Sequence, residues 1–279
     1  MSGAELIAVA FVAASAGTLG TMLGLGGGVF LVPILTLAFG IDLKVAVAAS
    51  AIAIVANSCA GSGVYLIRRF TNLRLALLML VSSTLGALVG GLLAVSLPEP
   101  VLKGTFALVL LSVAYAMARR KPLRQQSVDD TQQPDPLAIS GHYYDPALDR
   151  FVRYTPRRLR IAIPTSTTAG LASGMFGIGG GPIIVPLMNI LMGVPLKAAA
   201  GTSAFMVGLT ASASAMVYYT RGYVDPRVTM AAVFGIVGGA HLGTRVASRI
   251  RPAMLGHIFV IVLVVLAISM VLDAVGVIS

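Results

Sequence analysis

Four stretches of this chain, 75–97, 104–118, 228–244 and 253–272, carry almost no ionisable groups. At about 1.5 Å per helical residue each crosses, or nearly crosses, about 30 Å of hydrocarbon. A backbone in hydrocarbon must satisfy its own N–H and C=O groups, which leaves helices or closed barrels. Continuous apolar runs of this length read as helices. The expected fold class is an all-α polytopic membrane protein. Composition agrees, because 11% charged residues are too few to cover a soluble domain of 279 residues.

The formal net charge of +10 would point to nucleic acid in a soluble protein. Here the basic residues stand at the ends of apolar runs, without an aromatic platform or a basic helix. Anionic headgroups and the positive-inside rule account for them, and no nucleic-acid partner is expected. The single cysteine, Cys59, excludes an intrachain disulfide framework. No Cys/His cluster has metal-ligand spacing, so neither metal nor cofactor is expected. The N-terminal run lacks a basic n-region and reads as a retained first helix.

A second pattern divides the chain. With residue i laid over i+153, GLGGGVFLVP (24–33) falls on GIGGGPIIVP (177–186). In the same register Gly40 meets Gly193, Lys44 meets Lys197, Ser50 meets Ser203, Tyr65 meets Tyr218, Arg68 meets Arg221 and Arg74 meets Arg227. Apolar segments resemble one another by chance, but charged and glycine positions in one register do not. The chain is a duplication: a first transmembrane repeat (1–118), a linker (119–158) and a second repeat (159–279). The linker opens polar and proline-rich and ends in an aromatic stretch, where Tyr143, Tyr144, Phe151 and Tyr154 flank a turn signal that predicts a small hairpin.

Each repeat reads as five helical elements, at 4–23, 28–40, 44–67, 73–95 and 100–118, then 160–176, 181–194, 197–220, 227–246 and 253–275. An odd number sends the second repeat in from the opposite side, giving inverted repeats. With both termini outside, this topology places sixteen of the twenty Lys and Arg residues inside, including the bases of a cytoplasmic linker. A parallel arrangement places fourteen there. The expected location is a cytoplasmic (inner) membrane.

The second element of each repeat, about a dozen residues, is only about 18 Å long and cannot span. The Gly-rich turn before it then lies inside the membrane, at the tip of a broken or re-entrant hairpin. Such a turn leaves N–H groups unpaired at the start of a helix, where the dipole also favours negative charge. Gly26, Gly27 and Gly28, with Gly179, Gly180 and Gly181, are therefore the candidate substrate-binding residues. Pro33 and Pro186 are candidate kinks. Close helix packing is the competing use of these glycines. Bulky substitution at Gly27 or Gly180 is expected to abolish binding and leave the fold intact. Among intramembrane polar residues, Ser50, Asn57, Thr202 and Ser203 are candidate anion donors, against simple helix-to-helix bonding. His241 is the candidate for proton coupling, against a wet helix end. Lys44 and Lys197 read as interfacial snorkelling residues, with attraction of anions as the alternative.

The duplicated G-x-G-G-G-x-x-x-x-P hairpins, the length and the basic linker resemble the TauE/SafE sulfite-exporter family over nearly the whole chain. The resemblance implies a secondary carrier of sulfite, sulfonates or related small anions, with proton coupling. Partners implied are a small anionic substrate and the lipid bilayer, with a homodimer as the assembly considered. Enzyme chemistry is disfavoured, since neither HExxH nor GxSxG occurs and one histidine expected to be buried, His241, and one cysteine without partner carboxylates make a poor catalytic set. A membrane scaffold or a passive anion channel are the alternatives.

Overall fold

A computed structural model describes residues 2–118, 139–145, 149–249 and 252–274. The first repeat forms α1 (Gly3–Leu23), α2 (Gly28–Phe39), α3 (Leu43–Ile67), α4 (Leu73–Ser96) and α5 (Glu99–Ala118). A two-stranded antiparallel hairpin follows, β1 (Gly141–Asp145) and β2 (Arg150–Tyr154). The second repeat forms α6 (Leu159–Phe176), α7 (Gly181–Pro186), α8 (Leu196–Thr220), α9 (Pro226–Arg249) and α10 (Pro252–Ala274).

Local chemistry sets these boundaries. Ser2 and Glu5 make a reciprocal capping box at α1. Asn72 caps α4 through the Leu75 N–H, and its register partner Asp225 caps α9 through Arg227 and Val228. Gly40 and Gly193, both left-handed, close the short helices. The expected single helix over 181–194 is corrected here. After Pro186 the chain continues as a π-helical turn, Leu187–Leu191. Pro186 has no N–H and its ring crowds the carbonyl four residues back, which is Pro182. In α2 the residue at that place is Val29, and α2 passes through Pro33 without a break.

The repeats pack reciprocally. Gly86 and Gly90 of α4 lie against Thr167 and Leu171 of α6, while Gly239 and Gly243 of α9 lie against Ala14 and Thr18 of α1. These are the same contacts, shifted by the repeat register. Residue numbers rise together along both, so α4 runs parallel to α6 and α1 to α9. Along α3 and the turn after it, contacts with α8 run in opposite senses: Ser58 bonds Ala204, while Thr71 bonds Gly201. Equivalent helices passing antiparallel across the centre are what inverted repeats would give.

The core is apolar, but large apolar side chains also cover the outer face. Among the described residues, four helices, α1, α3, α4 and α8, are long and apolar enough to cross a membrane by length and composition. The outer face of α4 exposes Leu77, Val81, Leu85, Val89 and Leu92, a stripe suited to lipid and not to water. Tyr65, Tyr218, Asn57, Ser50, Ser203 and Lys197 are buried.

Candidate functional site: two glycine tips at the centre

Each tip joins a long helix to a short one through left-handed glycines. Gly24, Gly26 and Gly27 have φ of 73°, 79° and 91°, and Gly177, Gly179 and Gly180 have 58°, 71° and 76°. Side-chain-bearing residues adopt this region at a cost, so the motif is glycine by necessity. In α2 the ladder begins with Phe30 and Leu31, which both donate to the Gly27 carbonyl at 3.1 Å. The N–H groups of Gly28 and Val29 therefore lie ahead of it. In α7, Ile183 and Ile184 donate to the Gly180 carbonyl at 3.1 and 2.9 Å. Gly181 offers the one N–H ahead of that ladder, because Pro182 has none.

The tips meet. A Cβ added at Gly28 would stand 2.6 Å from the Gly177 carbonyl oxygen, and one at Gly181 would stand 2.7 Å from the Gly24 carbonyl oxygen. Ser50 Oγ donates to Gly177 O at 2.8 Å, and Ser203 Oγ donates to Gly24 O at 2.8 Å. Asn57 Nδ2 donates to Gly26 O at 3.0 Å, while Asn57 Oδ1 accepts from Thr21 Oγ1 at 2.9 Å. Between the tips stand Ile54 and Val207, which are register partners. A Cβ at Gly26 would lie 2.7 Å from Val207 Cγ1 and 3.0 Å from Ile54 Cγ2, and Gly179 faces the same two side chains. With Ala211 they form a small apolar cluster separate from the main core.

The structure brings Gly26–Gly28, Gly179–Gly181, Ser50, Asn57 and Ser203 together. It gives the three side chains a holding role, since their hydrogens go to tip carbonyls. Thr202 turns away and accepts from the Asn72 N–H at 3.0 Å. His241 is exposed on α9, with Nδ1 3.0 Å from the Val237 carbonyl of its own helix, and is not at the tips. Snorkelling does not describe Lys197, which is 5% exposed and bonds Asp145 Oδ1 at 2.7 Å. Lys44, half buried, donates to the Val95 carbonyl at 2.8 Å.

Sequence reasoning missed Ser173. It is fully buried, its hydroxyl has no partner among the described residues, and its Cβ lies 3.4 Å from where a Gly180 Cβ would be. Its register partner is Gly20, where an added Cβ would overlap Gly27. The available signal was this mismatch, a hydroxyl in one repeat set against a glycine in the other.

A profile of the family described as "Sulfite exporter TauE/SafE" matches residues 9–270. The "Probable membrane transporter protein YunE" of Bacillus subtilis is 23% identical over 93% of this chain and 95% of its own length. A "Probable membrane transporter protein" of Xylella fastidiosa is 27% identical over 92% of both chains. The "Sulfite exporter TauE/SafE family protein 6" of Arabidopsis thaliana is 29% identical over 52% of this chain and 30% of its own length. No solved structure matches.

Proposed function

This chain belongs to the sulfite exporter TauE/SafE family of membrane transporters, and on that premise we propose that it is a secondary carrier of a small anion such as sulfite or a sulfonate. The carrying observation is the pair of Gly-rich tips that meet across the inverted repeats, each with backbone N–H ahead of its helical ladder. Three N–H donors and two helix dipoles suit an anion without demanding a buried cation. The Ser173 hydroxyl supplies a side-chain donor beside Gly180. Ile54 and Val207 fill the centre with apolar bulk, which suits alternating access better than an open pore.

The asymmetry of the tips also bears on the substrate. The first has two N–H groups and a carboxamide held on its carbonyl; the second has one N–H and a free hydroxyl. Such a site treats the two ends of an anion differently, as a sulfonate or a sulfite lone-pair face requires.

The membrane is the cytoplasmic one, with the linker inside and both termini outside, on the distribution of basic residues. Proton coupling, which the family resemblance implies, belongs to the same proposal. The test uses proteoliposomes with a trapped pH dye and a panel of sulfite, thiosulfate, sulfate, ethanesulfonate and acetate. A pH change driven by one anion and absent from protein-free vesicles supports the reading. Silence with all five, by dye and by labelled-anion exchange, refutes it.

A further inference from the structure

Lys44 and Lys197 occupy the first turns of α3 and α8, in repeat register. One turn on from Lys44, the Val47 carbonyl lies 2.5 Å from where a Cβ on Gly177 would stand. One turn on from Lys197, Ala200 makes the matching contact with Gly24. Each lysine thus stands about 4.5 Å, three residues of rise, from the residue that touches a tip. Each lysine therefore begins the helix whose next turn holds one tip.

Their partners differ. Lys44 Nζ bonds the Val95 carbonyl and sits 5.6 Å above the Tyr223 ring, and no carboxylate pairs with it among the described residues. Lys197 Nζ meets the Asp145 carboxylate at 2.7 Å, with side chains 5% and 1% exposed. Asp145 lies outside the duplication. It comes from the linker hairpin, which is docked on the turn between α3 and α4. Tyr143 packs edge-on against Phe70 at 5.0 Å, and Asn72 Nδ2 donates to the Ile139 carbonyl at 2.6 Å. Among the described residues, no second hairpin stands on the turn between α8 and α9.

We propose that Lys197 is an anion-binding station on the linker face, and that the Asp145 carboxylate is a tethered occupant which the transported anion displaces. This rests on the carrier reading above. A carboxylate and a sulfite or sulfonate group offer an ammonium the same thing, a negative oxygen that accepts hydrogen bonds. Burial makes the exchange conditional. A buried charge left without its partner is strongly unfavourable. The hairpin therefore lifts when another anion takes the carboxylate's place, and the linker-side approach opens to substrate and stays closed without it. The opposite approach, at Lys44, has no tethered competitor among the described residues, so the two faces differ in apparent affinity.

The test is sided flux of labelled sulfite, or of whichever panel anion the wild type carries, into right-side-out and inverted vesicles. Asp145→Asn is expected to lower KM from the linker face at least threefold and to leave the opposite-face KM unchanged. Loss of the buried partner can also unfold the protein, so a second variant exchanges the pair, Asp145→Lys with Lys197→Asp. The exchange restores the ion pair and the docked hairpin but puts a carboxylate where the anion must bind. It is expected to fold and to lose linker-face transport. Wild-type transport by the exchanged protein, or a folded Asp145→Asn with both KM values unchanged, overturns the proposal. If the wild type carries no anion at all, it is the carrier reading that fails.

Discussion

The Ser50 hydroxyl donates to the Gly177 carbonyl at 2.8 Å, and it does so across the duplication, from one repeat to the tip of the other. Ser203 returns the same bond to Gly24. The pair ties each tip to the first half of the long helix from the opposite repeat. Removing either hydroxyl leaves a buried carbonyl with less partnership, a loss of about 1 kcal/mol. Ser50→Ala and Ser203→Ala should each lower thermal stability in detergent modestly and slow anion flux. Thr202→Ala, whose hydroxyl faces Asn72 and not a tip, should cost similar stability with flux per folded molecule unchanged.

The glycines separate into those that permit a test and those that do not. A Cβ at Gly28 meets Ser50 Oγ and the Gly177 carbonyl, both at 2.6 Å, so Gly28→Ala should fail to fold or to insert. Gly27 is nearly as tight, with Ile236 Cδ1 at 2.9 Å and the Ala16 carbonyl at 3.0 Å, so a bulky residue there disturbs the fold as well as the site. Gly180 has more room, with its nearest neighbours at 3.2 to 3.4 Å, so a side chain there asks Ile184 and Ser173 to shift by a few tenths of an ångström as well as opposing the left-handed backbone. Gly180→Ala should cost about 1–2 kcal/mol, remain folded and lose anion binding. Circular dichroism with flux measurement separates the two glycines.

Much of this was legible because duplication acts as an internal comparison. Helix boundaries and both tips followed from apolar run length and from the 153-residue register. The side-chain roles did not. Polarity marked Ser50, Asn57 and Ser203 as donors, but whether a hydroxyl meets substrate or a carbonyl depends on contacts between segments over 100 residues apart. Thr202 and Ser203 are neighbours in sequence on a helix, so their side chains point about 100° apart, and only one of them faces a tip. Lys197 looked interfacial because Asp145, its partner, lies in the linker and outside any periodic pattern.

The centre gives a prediction that distinguishes carrier from channel. Ile54 and Val207 are both fully buried, and each faces Gly26 and Gly179. Truncating both to alanine leaves space where apolar bulk stood, at a cost of several kcal/mol, about 2–5 for the isoleucine alone. Efflux of labelled anion into anion-free medium should rise relative to exchange, because the seal between the two approaches is weakened. Unchanged efflux in a folded double variant would mean that the seal lies elsewhere.

His241 supplies a negative control. Its ring is exposed and bonded to its own helix at Val237, away from both tips. His241→Ala should leave the pH profile of transport where it is. In the hairpin, burial pushes the Tyr143 and Tyr154 phenols up from their ordinary values, so neither loses its proton near neutral pH. A shifted profile in His241→Ala would return that residue to the coupling path.

The most direct measurement of the central claim is anion-dependent stabilisation. Wild-type protein and Gly180→Ala are unfolded thermally in detergent across a titration of sulfite, thiosulfate and ethanesulfonate. A ligand that binds only the folded state stabilises by about 2.7 kcal/mol at a hundred times its Kd. The backbone-tip account predicts a saturable rise in Tm for wild type with one of these anions, and no rise for the folded Gly180→Ala protein. An equal rise in both would place the anion away from the glycine tips and contradict the account.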